Sequence, residues 1–304
     1  MNASLERPES VAVRGRERRH ELMARHSTWR CGGPAAHYFE PADRADLLAF
    51  LRRADRADPL TWLGLGSNLL VRDGGLRGTV VATAAGLNTL AWESDSTLYA
   101  ECGVTCARLA RAGAERDRAG LEFLAGIPGT LGGALRMNAG ALGAETWQFV
   151  SAVEMVANDG TVQRYPAAAF SPRYRGVSGP RGWFLAAWLN LPQAAGGSGA
   201  ARIRAVLAQR GRTQPTGQAS CGSVFKNPPG DYAGRLIEQC GLKGYRHGGC
   251  EVSTVHANFI VNHAAGSAAD IETIIAHVRA TVARMTGVTL ETEVQIVGDA
   301  EGAA

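Results

Sequence analysis

No apolar run in this chain approaches the roughly 18 residues that a membrane-crossing helix needs. The first 26 residues are rich in Arg and Glu and contain no apolar stretch of the kind a secretory signal carries, so they read as a solvated arm. Paired C-x-x-C spacing is also missing. The six cysteines, Cys31, Cys102, Cys106, Cys221, Cys240 and Cys250, are scattered, which points away from a zinc site or a disulfide framework and towards small buried thiols. There is no stripe of basic and aromatic residues and no internal repeat. The formal net charge of +4 is mild, so nucleic acid is not the expected partner and small anions are. A soluble cytoplasmic protein without a metal is the expectation these absences leave.

The 304 residues are 45% hydrophobic and 20% charged, an ordinary globular balance, and are enough for two or three domains. Leu47, Leu48 and Leu51 share a helix face after Pro41. Thr61 to Leu65, Thr79 to Thr83 and Leu98 to Cys102 read as strands, and Thr105 caps a helix that ends before Gly120. Asn158-Asp159-Gly160 joins two strands as a hairpin, and Trp183 to Leu191 is an apolar strand. The Gly- and Ala-rich run from Gln193 to Gly199 reads as a linker, and the main domain boundary is placed there. Helices follow near Ala200 to Gln209 and Tyr232 to Cys240, then a strand from Asn258 to Asn262. Ser267 with Asp270 forms a capping box ahead of a helix carrying Ile271, Ile274, Ile275, Val278, Val282 and Met285 on one face and stopped by Gly287.

Two Gly-rich segments carry ligand chemistry. The first holds Gly64, Gly66, Ser67 and Asn68. The second runs Gly126-Ile127-Pro128-Gly129-Thr130-Leu131-Gly132-Gly133 and continues to Asn138, Ala139 and Gly140. Glycine lets backbone N–H groups approach a phosphate, and Ser67, Asn68, Thr130 and Asn138 add side-chain donors. Neither has the spacing of a Rossmann fingerprint or of a P-loop. Between Cys221 and Pro228 a lone hydroxyl, Ser223, is followed by Lys226 and Asn227. Ser223 reads as a nucleophile, a proton donor or a turn residue, since Gly-Ser and Asn-Pro are common loop punctuation. A nucleophilic Cys221 needs a nearby base to form thiolate.

These motifs, with Ser27-Thr28-Trp29-Arg30-Cys31-Gly32-Gly33-Pro34-Ala35, Tyr174-Arg175, His256 to Asn262 and Leu290-Glu291-Thr292-Glu293-Val294, occur in an order that resembles the UDP-N-acetylenolpyruvoylglucosamine reductase (MurB) family. The resemblance runs from about Ser27 to Gly298, and the short length is similar to its compact type II subclass. It implies an α+β fold: a flexible arm (1–26), a PCMH-type, vanillyl-alcohol-oxidase-like FAD-binding domain of two subdomains meeting near residue 85 (27–195), a smaller α+β substrate-binding domain (196–288) and a terminal strand bringing Glu293 to the site (289–304). It further implies non-covalent FAD, NADPH as co-substrate, UDP-N-acetylglucosamine enolpyruvate as substrate, a place in peptidoglycan synthesis, and a monomer. Ser223 is then the proton donor, with Arg175 and Glu293 stabilising charge on the reacting carboxylate. Tyr174, Arg210, Lys226 and Asn227 are substrate-binding candidates, each with a plain surface or packing role as its alternative. The chain departs from the family where Ser178 stands three places after Arg175 and where Gln218-Ala219 replaces a frequent Pro.

Along the terminal strand, alternation puts Leu290, Thr292, Val294 and Ile296 on one face and Glu291, Glu293 and Gln295 on the other. Glu291 reads as solvent-exposed, while the family pattern gives Glu293 the site role. A flavin-dependent sugar or alcohol oxidase is the alternative activity. It usually tethers its flavin through His or Cys, and His37 and Cys31 are too little to claim a tether. A flavin-binding protein without catalysis is a third reading, disfavoured by the presence of Ser223, Arg175 and Glu293 together.

Overall fold

The computed structural model describes residues 13–302 apart from Arg56, Gly197 and Ala264. The first unit contains β1 (Arg16–Leu22), β2 (Pro34–Glu40), helix α1 (Arg44–Arg53), β3 (Leu60–Leu63), β4 (Leu69–Val71) and β5 (Leu76–Ala82). Its sheet runs β1-β2-β5-β3, with β1 antiparallel to β2 and β2 and β3 parallel to β5. Asp43 starts α1 by accepting the Asp46 N–H, and the apolar face of α1 packs Leu47, Phe50 and Leu51 on Phe39 and Val81. The arm expected over residues 1–26 is therefore ordered from Arg16 onward; its first 12 residues lie outside the described ones. β1 needs no apolar side chains, because an edge strand is held by its backbone pairing and keeps its Arg and Glu in solvent.

The second unit holds β6 (Leu90–Trp92), β7 (Thr97–Glu101), α2 (Cys106–Glu115), α3 (Leu131–Met137), β8 (Gly140–Ala141), β9 (Ala144–Glu145), β10 (Val150–Val156), β11 (Val162–Pro166), β12 (Ser171–Arg173), β13 (Gly176–Ser178) and β14 (Trp183–Asn190). An antiparallel sheet of order β11-β10-β14-β7-β6 forms its frame. The apolar run of β14 fits its central place, buried from Phe184 to Leu189. Thr105 caps α2 through the Arg108 N–H, and at the β10–β11 turn the Asp159 carboxylate accepts the Thr161 N–H.

Beyond it lie α4 (Gly199–Thr213), α5 (Ala233–Gln239), β15 (Arg246–His247), β16 (Cys250–Val252), β17 (Ile260–Asn262), α6 (Ala268–Thr286) and β18 (Gln295–Val297). The boundary expected at residue 195 does not follow the packing. Ile203 of α4 joins the core of the second unit, Gly199 sits against Ala114, and Arg202 reaches Glu122 at 2.7 Å, so α4 belongs with the preceding domain. The Gly-rich run before it follows β14 and leads into α4. The last core gathers Leu236, Ile237, Val252, Ile260 and the face Ile271, Ile274, Ile275, Val278 and Val282 of α6, which Ser267 and Asp270 cap reciprocally. The N-terminal segment enters this core through Trp29, fully buried, whose Nε1 donates to Ile260 O at 2.7 Å.

The terminal segment is not one strand. Glu291 O accepts the Lys226 N–H and Glu293 N donates to Val224 O, with Thr292 bridged to Phe225; the chain then bends at Val294 and pairs in parallel with β4 as β18. The bend is required because the two halves lie on different partners.

Candidate active site

Two cavities, of about 460 and 830 Å³, share Trp62, Leu63, Gly64, Thr130, Gly133 and Arg136 and so form one two-lobed cleft. The smaller lobe is walled by the first Gly-rich loop, by Ile127 to Thr130, by Ala139 to Ala141, and by Arg175, Arg210, Ser223 and Glu293. Gly132 faces the larger lobe. The two Gly-rich loops meet directly, since Ser67 Oγ donates to Pro128 O at 2.9 Å. Close approach explains the glycines: a Cβ on Gly64 would stand 2.6 Å from Thr130 Oγ1, and one on Gly66, at φ +61°, only 2.0 Å from His26 O.

Two expected cofactor residues lie off the wall. Asn138 is completely buried and ends α3 in the left-handed conformation; its Nδ2 donates to Glu145 Oε2 and Arg173 O, and its Oδ1 accepts the Trp147 N–H. With its amide satisfied inside the protein, it braces the loop. Gly126 makes room for Arg210, whose Cδ would be 2.6 Å from an added Cβ. Of the substrate candidates, only Arg210 lines the cleft. Tyr174 OH accepts the Asn227 N–H at 3.2 Å, Asn227 Oδ1 accepts the Ala233 N–H, and Lys226 Nζ stands 3.2 Å from Glu291 Oε2, so these three form an outer rim.

Arg175 occupies the β12–β13 turn at φ +55°, a strained conformation for a side-chain-bearing residue. Its Nη1 donates to Gly140 O at 3.3 Å, and its Nε lies 2.8 Å from Glu293 Oε1. That contact is electrostatic, because the Nε–H has no aligned acceptor. Burial pushes the Glu293 carboxyl above its ordinary range, opposed by the charges of Arg175 and Lys226. Asn68 Nδ2 holds the Glu293 carbonyl at 3.1 Å. Ser223 is carried by a segment that Asn258 clamps: its Oδ1 accepts the Phe225 N–H and its Nδ2 donates to Phe225 O. Cys221 is buried against Thr28 Oγ1 at 3.1 Å, and burial raises its thiol, which disfavours the thiolate a nucleophile needs. His37 is bonded to Thr79 and Glu17 and Cys31 sits in the last core; neither lines the cleft.

Sequence reasoning did not single out Trp62, Arg136, Arg181 or Gln214 as wall residues. Nothing in helical or strand periodicity says which polar position faces a cleft. With Arg175 and Arg210, four arginines line the two lobes against one lining carboxylate among the described residues, Glu293. Burial lowers the pKa of Arg210, which has no acidic partner among the described residues. Trp62 Nε1 and Gln214 Oε1 are buried without hydrogen-bond partners on these walls. Since buried polar groups are normally paired, two such atoms around one cationic cleft suit a large anionic ligand with polar edges, and a flavin dinucleotide fits that description.

Residues 35–165 match the FAD binding domain family, and residues 214–297 match the C-terminal domain of UDP-N-acetylenolpyruvoylglucosamine reductase. Curated proteins named UDP-N-acetylenolpyruvoylglucosamine reductase include one from Methylococcus capsulatus, 56% identical over 95% of both chains, and one from Alkalilimnicola ehrlichii, 55% identical over 94% of this chain and 96% of its own. The crystal structure of UDP-N-acetylenolpyruvylglucosamine reductase (MurB) from Thermus caldophilus superposes with a TM-score of 0.80 at 31% identity, covering 94% of this chain and 99% of that one.

Proposed function

The chain belongs to the UDP-N-acetylenolpyruvoylglucosamine reductase family, and from that premise we propose how its cleft reduces UDP-N-acetylglucosamine enolpyruvate to UDP-N-acetylmuramate, with NADPH as reductant, in peptidoglycan precursor synthesis. The observation that carries the reading is the convergence of Ser223, Arg175 and Glu293 on one lobe whose floor is two joined Gly-rich loops. Bound FAD supplies hydride transfer, from NADPH to the enol-ether methylene carbon of the substrate. Gly64, Gly66, Ser67, Pro128, Gly129 and Thr130 would hold it, without a covalent link.

Adding hydride to the methylene carbon drives negative charge onto the neighbouring carbon and its carboxylate. Arg175 faces that charge, since a guanidinium is always protonated and pairs with a carboxylate in two-point fashion. Ser223 Oγ then delivers a proton to the carbon next to the carboxylate. The hydroxyl is a weak acid in water, but against a carbanion-like centre correct placement suffices. Glu293 orients Arg175 from 2.8 Å. Its raised pKa keeps a proton available at a higher pH than a free carboxyl allows, as suits a group returning a proton to the reaction. On this reading Lys226 and Asn227, on the rim, meet the nucleotide end of the substrate, and Arg210 meets its charge. The same reading puts the enzyme in the cytoplasm with its nucleotide-sugar substrate, and as a monomer.

The test is spectroscopic. The purified protein is expected to be yellow, to release its flavin on denaturation and filtration, to bleach with NADPH, and to regain colour when the enolpyruvyl substrate is added. Recolouring by O₂ alone, with no response to the substrate, would favour the oxidase reading, and flavin retained after denaturation would overturn the non-covalent one.

A further inference from the structure

Arg136 stands on α3 at the waist of the cleft, where it lines both lobes. Its side chain is exposed and has no hydrogen bond, ion pair or ring contact among the described residues. One turn earlier on the same helix, Gly133 also borders both lobes, and a Cβ there would meet nothing within 4 Å, so the helix backbone lies open beside the guanidinium. The other waist residues, Trp62, Leu63, Gly64 and Thr130, carry no charge. Arg181 and Arg210 each belong to one lobe only, and Arg175 faces Glu293. Arg136 is thus the cation of the waist.

A ligand whose two halves fill the two lobes must pass its middle through the waist. In a flavin dinucleotide that middle is the diphosphate, the most highly charged part of the molecule. We propose that Arg136 binds the FAD diphosphate in this chain, adding a fixed cation to the neutral grip of the Gly-rich loops. A planar guanidinium meets phosphate oxygens at two points, and the open backbone at Gly133 leaves space for the approach. The proposal rests on the reading of the cleft as a FAD site.

The experiment titrates the deflavinated full-length protein with FAD and, separately, with riboflavin, which has the same ring and no phosphate, following flavin fluorescence at low and high salt. Arg136→Gln is expected to weaken FAD about tenfold, the lower end for a charged hydrogen-bonding partner because the side chain is exposed, and to flatten the salt dependence of FAD binding. Riboflavin affinity should stay at the wild-type value, and Arg136→Lys should recover part of the loss. Unchanged FAD affinity in Arg136→Gln overturns the proposal. So does an equal loss for riboflavin, which would mean that the substitution disturbs α3. A raised KM for NADPH with FAD affinity intact also overturns it, by giving the cation to the co-substrate. Failure of the wild-type protein to take up either flavin would instead defeat the reading of the cleft itself.

Discussion

Replacing Glu293 by Gln separates the chemical role of this carboxylate from its effect on folding. Burial raises its pKa, and the charges of Arg175 and Lys226 oppose that rise without cancelling it. The folded value therefore lies above the unfolded one, whose ordinary level is 4.5. Such a group contributes fully to stability below its unfolded pKa, and the contribution is lost as pH rises through the folded value. Each unit of elevation amounts to about 1.4 kcal/mol against the charged form at neutral pH, which Gln would relieve. Against this, Gln leaves Arg175 without an opposite charge. Breaking a fully buried pair costs about 3–5 kcal/mol. Here Arg175 is 20% exposed, keeps its bond to Gly140 O and loses no aligned hydrogen bond, so most of that penalty is absent. The two effects offset, and Glu293→Gln is expected to change stability at neutral pH by no more than ~1 kcal/mol. Turnover should nevertheless fall by about 10²–10⁴, with flavin content unchanged. Thermal unfolding of both proteins at neutral pH and near pH 4 checks the sign: wild type must gain on the variant as pH falls. A wild type that loses ground on acidification would show that the ion pair, and not burial, governs this group, and an unchanged turnover would remove Glu293 from the chemistry.

Ser223→Ala should leave NADPH-driven bleaching of the flavin nearly intact while slowing its reoxidation by the enolpyruvyl substrate by about 10²–10⁴; stopped-flow timing separates the two, and equal loss in both would point to a damaged fold. Glu291→Gln removes a contact with Lys226 at a side chain 77% exposed, so urea unfolding should shift by no more than about 0.5 kcal/mol with little change in turnover. If that variant proves the inactive one, the catalytic carboxylate belongs two residues earlier. Gly66→Ala, with its Cβ directed onto His26 O, should cost about 1–3 kcal/mol and lower flavin content, both measurable on the purified protein; full retention of flavin and stability would show that the loop can shift.

What the chain discloses before folding depends on how local the signal is. Thr105, the Ser267–Asp270 box and the Asn158-Asp159-Gly160 turn act within a few residues, and each does in the fold what its spacing says. β1 was hidden because edge pairing uses the backbone and leaves charged side chains looking like a solvated arm. The Gly-rich run before α4 looks like a domain linker, since composition cannot say which core Ile203 enters. Alternation from Leu290 onward stops at Val294, where the chain changes partners. Ser223, Arg175 and Glu293 were distinguishable from loop serines and surface charges only by resemblance to a family. Asn138 carried the right donor type for a ligand loop, and only the positions of Glu145, Arg173 and Trp147 show its amide to be occupied.

The pairing of β18 with β4 sets an order of assembly. Asn68 and Glu293, joined through a side-chain amide, are 225 positions apart in the chain. Contacts this distant are reached only after a large loop has been closed, so they form late. The segment from Leu290 to Val297 bridges two separately packed cores, and each retains most of its own contacts if the segment detaches. Detachment of this segment alone would therefore silence substrate reduction while flavin remains bound: the molecule would stay yellow after it had stopped working.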